Sequence, residues 1–226
     1  MKLRPFFLVY LVLMLTGQTS LLAQLSDIGG IVSVGVTKNI GRNWDSKLEQ
    51  ELRFNQSLGY DRALTALQLD YKVIPQYFKV GMEYDFMNPN IKSEYYEFRH
   101  RAAFQLSGQT KWNRFELQLR TRMQSTWRDE TKNDYKFNPK VVWRNKFECA
   151  YDIFGSPIKP SMSAELFFPV NSSHGFYLNS YRLRTAVSYK YSRSQSIEMF
   201  LRFDKEVQTN NPESVLYLGV AWLLRL

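Results

Sequence analysis

The chain has 226 residues, a formal net charge of +9 and a single cysteine, Cys149. That length holds one or two domains, and one cysteine excludes both an internal disulfide framework and a cysteine-rich metal centre. Basic residues are interleaved with acidic ones rather than clustered, which argues against a nucleic-acid surface.

The first segment reads as a targeting signal. Lys2 and Arg4 give a charged start, Phe6 to Leu15 is an uninterrupted apolar run, and Leu21-Leu22-Ala23 offers a cleavage point before Gln24. The run is too short to cross a bilayer as a helix and fits the apolar region of a secretory signal. The expected division is a signal peptide over 1–23 and one domain over 24–226. No cysteine follows the signal closely, so a lipoprotein anchor is not expected.

Beyond residue 30 apolar residues recur at every second position, the period of a strand with two unlike faces. Ile31–Lys38 is a first, less marked run. In Trp44–Phe54, Asp45, Lys47, Glu49, Glu51 and Arg53 share one face, while Leu48, Leu52 and Phe54 share the other. Ala63–Tyr71 is again less marked. Tyr77–Phe86 sets Phe78, Val80, Met82, Tyr84 and Phe86 against Lys79, Glu83 and Asp85; Tyr95–Leu106 sets Tyr96, Phe98, Ala102 and Phe104 against Glu97, Arg99 and Arg101. Arg114–Gln124 opposes Phe115, Leu117, Leu119 and Met123 to Glu116, Arg120 and Arg122, and Val141–Tyr151 opposes Trp143 and Phe147 to Arg144, Lys146 and Glu148. Ser161–Phe168 carries Glu165. Tyr181–Tyr191 carries Arg182, Arg184 and Lys190 on its polar face, and Ile197–Asp204 carries Glu198, Arg202 and Asp204. The chain finishes on Leu216–Leu226, apolar at every second residue.

The connections alternate in length. Ile74-Pro75-Gln76, the stretch around Gly108, Gly155-Ser156-Pro157 and Ser192–Ser196 read as short turns. Met87–Glu94, Trp127–Asn138, Pro169–Tyr177 and Glu206–Ser214 read as longer polar loops. Tight turns at one end and long loops at the other are the habit of outer-membrane barrels. The fold expected is all-β: an antiparallel up-and-down transmembrane β-barrel. The runs number about eleven, and the even-number habit of bacterial single-chain barrels makes 10 or 12 strands the expectation.

Three features orient the faces. Charge of both signs crowds one face and is nearly absent from the other, where His100 and Asn145 are the main exceptions; lipid penalises Arg or Lys at the midplane by about 2–4 kcal/mol. Large aromatics on the apolar face lie near strand ends (Trp44, Tyr84, Phe86, Tyr96, Trp143, Tyr189, Trp222), as interfacial girdles require. The alternating C-terminal run is similar to the strand that barrel-assembly machinery reads, although its last residue is Leu226 rather than an aromatic. Closure has the last strand pair with the first, because no edge can stay open in lipid.

The segments Tyr95–Arg101 (YYEFRHR), Glu116–Gln124 (ELQLRTRMQ), the glutamate of Ser163–Pro169 (SAELFFP) and Tyr181–Ser192 (YRLRTAVSYKYS) resemble a bacterial family known as domain of unknown function 2490. Gln124 stands where many members have Glu. The resemblance implies an outer-membrane barrel of Gram-negative bacteria and no established activity.

The expected site is a lumen charge network of Glu97, Arg99, Arg101, Glu116, Arg120, Arg122, Arg144, Glu148, Glu165, Arg182, Arg184 and Arg202. Opposite charges at this density pair across strands and fill a narrow barrel, and an arginine excess favours small anions. The expected role is structural or small-solute and ion passage, without catalysis, cofactor or metal. Expected partners are outer-membrane lipids, lipopolysaccharide and the assembly machinery, and no nucleic acid. Two alternatives have distinct signatures. A lipid- or lipopolysaccharide-modifying enzyme needs a nucleophile beside a base, and only His100 and His174, the latter next to Ser172 and Ser173, are available. A soluble periplasmic lipocalin-like barrel would hide the apolar face inside around a ligand.

Overall fold

The computed structural model describes residues 26–55, 59–91, 95–129, 138–173, 175–208 and 212–226. The expected signal segment, His174 and much of the Trp127–Asn138 loop lie outside them. The described residues form twelve strands: β1 (Asp27–Ile40), β2 (Trp44–Phe54), β3 (Tyr60–Ile74), β4 (Phe78–Ile91), β5 (Tyr95–Tyr96), β6 (Arg99–Trp112), β7 (Phe115–Trp127), β8 (Lys140–Tyr151), β9 (Ile158–Pro169), β10 (Ser180–Lys190), β11 (Gln195–Glu206) and β12 (Ser214–Arg225).

Eleven of the twelve close into a barrel, and the two-residue β5 pairs only with the end of β4. Neighbours in sequence are neighbours in space, antiparallel throughout, and β12 closes on β1. The parity that favours even numbers gives way here. Strands joined only by hairpins alternate direction, so the first and eleventh of the wall point the same way. They pair in parallel from Asp27↔Val215 to Thr37↔Arg225. Parallel pairing is slightly less stable per residue than antiparallel, and this seam has extra ties: Ser26 N donates to Ser214 O at 2.8 Å, and Leu226 N to Thr37 O at 2.8 Å.

Turns and loops segregate by end as the connection lengths predict. The corrections are local. Gly108 lies inside β6, not in a turn; the strand continues to Trp112 and reverses at Asn113, whose φ of 56° is a left-handed conformation that Asn tolerates. Met87–Glu94 is not all loop, because β4 runs on to Ile91. Tyr95–Leu106 is not one strand, since residues 97 and 98 break the ladder between β5 and β6.

The period-two pattern resolves into an outer and an inner face. Val32, Leu48, Leu67, Met82, Phe104, Leu119, Phe147, Met199, Leu218 and many others are exposed on the outside. Among the described residues, the buried set contains more polar and charged side chains than apolar ones, Asp85, Gln105, Arg122, Arg144, Glu165 and Arg202 among them. Aromatics ring both ends of the wall. At the turn end Trp44 meets Tyr71 at 4.9 Å, Phe115 meets Tyr151 at 5.1 Å, and Trp222 donates to the Tyr191 hydroxyl at 3.0 Å. At the loop end Tyr60 meets Tyr96 at 5.5 Å, Phe86 stacks on Phe98 at 5.6 Å and Phe168 on Phe176 at 5.0 Å. Polar side chains on the outer face pair with one another in places: Trp143 Nε1 donates to Thr121 at 2.7 Å, and Thr65 to Gln50 at 2.6 Å.

Candidate functional site

Register brings the inner residues of successive strands side by side. Asp70, Gly81, Gln105, Arg122 and Arg144 form one row across β3, β4, β6, β7 and β8. Gly81 is what lets that row connect: Gln105 Nε2 donates to Asp70 Oδ1 at 2.9 Å across it, and a Cβ on Gly81 would collide with both side chains. Arg122 continues the chain, its guanidinium donating to Gln105 Oε1 at 3.1 and 2.5 Å and forking onto the Glu83 carboxylate, with Nη2–Oε2 at 2.8 Å. A planar guanidinium offers this two-sided donation where an ammonium does not.

The neighbouring row holds a hub. Arg120, Lys146, Glu165, Arg182 and Asp204 lie abreast on β7 to β11. Glu165, 3% exposed, accepts from Arg144 at 3.0 and 3.1 Å and from Arg120 at 3.2 Å, with Arg182 at 3.6 Å. Arg182 donates to Asp204 at 2.7 and 3.0 Å, and Arg202 Nε reaches the same carboxylate at 2.9 Å.

The lumen half toward the long loops contains a chamber of about 520 Å³, bounded near that end by Lys140, Pro169, Asn179 and Ser180. Its lining carries ten cations (Lys47, Arg53, Arg62, Arg101, Arg120, Arg122, Lys140, Arg144, Arg182, Arg202) and four acids (Glu49, Glu51, Glu83, Asp85). Several are paired locally: Arg53 with Glu51 at 2.5 Å, Arg101 with Asp85 at 3.2 Å, Lys47 with Glu49. The turn-side half is braced by further pairs. Asp45 holds Lys72 and Lys79 at 2.5 and 2.9 Å, Glu116 holds Lys111 at 2.8 Å and also Lys159, and Arg184 meets Glu198 at 2.5 Å.

Six of the twelve residues expected in the charge network line this chamber: Arg101, Arg120, Arg122, Arg144, Arg182 and Arg202. Glu165 ties three of them from the wall. Glu148 pairs with Lys146 at 2.5 Å, and Glu116 and Arg184 belong to the turn-side half. Glu97 departs most. It is fully buried in the break before β6, bonded to Arg99 at 2.6 Å and accepting from Asp129 N at 3.1 Å, so it ties the β7–β8 connection to the rim. Sequence reading missed the contribution of β2 and β3 to the chamber, although the charged face of Trp44–Phe54 carried the signal. It also missed the neutral linkers Gln105 and Gln124, the latter accepting from Arg144 at 2.7 Å.

His100 is on the outer face, and its Nδ1 lies 2.7 Å from the Tyr84 hydroxyl. Among the described residues no three of His, Cys, Asp or Glu gather as a metal-holding set.

One solved structure with a similar fold is a bacterial polysaccharide outer membrane secretin. Its TM-score is 0.51 at 13% identity, over 79% of this chain and 63% of that one, so this chain spans less than two thirds of that protein. No curated protein matches the sequence. The family model described as "Protein of unknown function (DUF2490)" matches residues 31–214, and the chain belongs to that family.

Proposed function

We propose that the protein is an outer-membrane β-barrel of a Gram-negative bacterium whose charged lumen passes small solutes or ions. The observation that carries this reading is the sidedness of the wall: large apolar side chains point outward between two aromatic belts, and ionised side chains point inward. Water would make that outer face a severe aggregation liability; a bilayer makes it the solvated face. Strands of 11 to 15 residues in the closed wall meet or exceed the 9–11 or so needed to cross tilted. A similar fold in a protein named as an outer membrane secretin is in keeping with this location. Lipids and lipopolysaccharide would cover the apolar wall, and assembly machinery would read β12. A lipocalin-like interior is at odds with the polar lumen. Catalysis is not part of the reading: a lipid-facing hydrolase needs a base on a nucleophile, and the His100 bond to Tyr84 gives it a structural partner instead.

Planar-bilayer recording of the refolded protein tests the passage. Stepwise, ion-selective conductance supports it. Silence from protein shown to be folded favours a second reading, a structural plug, for which the bridge from Asp70 through Gln105 and Arg122 to Glu83 is the specific support.

A further inference from the structure

The loop-side chamber is not charge-balanced. Ten cations face four acids on its lining, and Glu165 and Asp204, which pair from the wall, still leave cations in excess. Arg101, toward the loop end of the lining, has a donor to spare: its Nε is buried and finds no hydrogen-bond acceptor among the described residues. Buried donors in a folded protein normally have partners, and an orphan calls for an explanation. The Lys140 side chain, at the loop-side rim of the same chamber, has no ion pair or hydrogen bond among the described residues, while its backbone pairs with Thr126. These groups stand in a confined volume with low-dielectric walls, which focuses a positive field on whatever enters.

We propose that this chamber is a binding site for a small multivalent oxyanion, a solute bearing phosphate or carboxylate groups, held toward its loop end by Arg101 and Lys140, which flank Thr126 in one row. Charge-assisted bonds to guanidinium edges suit such oxygens in twos and threes. The volume of about 520 Å³ admits a small solute and not a folded chain. In the turn-side half Lys72, Lys79, Lys111, Lys159 and Arg184 are each held on a carboxylate, so the solute would enter from the long loops and dwell above that half. The inference rests on the passage reading for the direction of entry, and it names the class of solute.

The test is calorimetric titration of the refolded full chain in detergent with inorganic pyrophosphate, alongside bilayer recording in potassium chloride. The expected result is saturable binding that weakens with added salt and falls about tenfold in Lys140→Gln. Lys140 has no partner to orphan, so this variant should fold. Arg101→Lys, which keeps a cation beside Asp85 and gives up the guanidinium fork, provides a second, smaller fall. Lys111→Gln at the opposite end should bind as the parent does. Absence of saturable binding, or equal affinity in all variants, overturns the chamber site. Conductance without binding leaves the passage reading intact and removes this one; binding without conductance does the reverse.

Discussion

Two walls face each other across one lumen and are built on opposite chemistry. On the side of β4 and β6 to β9 the inner face is a lattice of arginines and carboxylates joined strand to strand. On the seam side, Ile31 of β1, Ala186 of β10, Phe200 of β11 and Ala221 of β12 form a small apolar cluster, with Tyr217 packed against it. The seam carries glycine where the other wall carries charge. The Phe200 ring lies over Gly219 and the Tyr217 ring over Gly29, so closely that a Cβ at either glycine would collide with the ring. An aromatic covering a neighbouring glycine pins register between strands. The difference teaches where specificity is needed. Hairpins set the register of the charged wall locally, whereas β1 and β12 are joined by no hairpin and meet in parallel, so side-chain shape takes over the work of a turn.

The sharpest way to break the charged wall is Glu165→Ala. It removes the one carboxylate shared by Arg120, Arg144 and Arg182 and leaves three guanidinium groups crowded together. Breaking a buried ion pair from one side costs about 3–5 kcal/mol, and urea unfolding in detergent should show a loss of that order. Glu165→Gln, which keeps hydrogen bonding, should lose less. An equal loss from both would mean that packing rather than charge sets the cost.

A second contrast uses two adjacent residues. Leu119 is 61% exposed on the outer face and Gln118 is its neighbour on the inner one. In lipid vesicles Leu119→Arg should destabilise by about 2–4 kcal/mol, while Gln118→Arg stays within about 0.5 kcal/mol. Similar values for both would contradict the assignment of lipid and lumen faces. At the seam, Gly219→Val should cost about 1–3 kcal/mol by driving the Phe200 ring from its place. Val142→Ile on the inner face of the charged wall, bordering the open chamber, should cost less.

Alternation made most of the wall legible, because a period of two states which residues share a face without reference to any other strand. The inner position of Arg122, Arg144 and Arg182 follows from that alone. What each of them touches does not, since partners come from register between strands and register is non-local. Glu97 shows the limit: its spacing from Arg99 and Arg101 reads as one strand, but the chain breaks at residues 97 and 98 and Glu97 bonds across to Asp129. Gly108 shows the converse, a residue that suggests a turn but is kept in the strand by pairing on both sides, to Phe78 and to Leu119. The seam was the least legible part. Its inner residues Gly29, Gly35, Gly219 and Ala221 have too little side chain to register as a pattern, and the parallel closure follows only from the strand count.

Around the apolar seam the charged side chains are arginines, and arginine offers a polar edge and a flat face at once. Arg202 and Arg53 approach the Tyr217 ring from 5.2 and 5.9 Å, and Arg184 lies 4.0 Å from the Phe200 centroid while its edge donates to Glu198 at 2.5 Å. The carboxylates thus take the N–H groups, and the seam aromatics take the guanidinium face. Lysine would keep the charge and lose the flat contact. Arg184→Lys should therefore retain the pairing with Glu198 and still cost about 0.5–1 kcal/mol, the worth of one cation–π contact. In a Phe200→Leu background the same substitution should cost nearly nothing, because the ring is already gone. A double-mutant cycle in detergent measures this coupling directly. A zero coupling would mean that the guanidinium face adds nothing to the seam and leaves the apolar cluster alone to hold it.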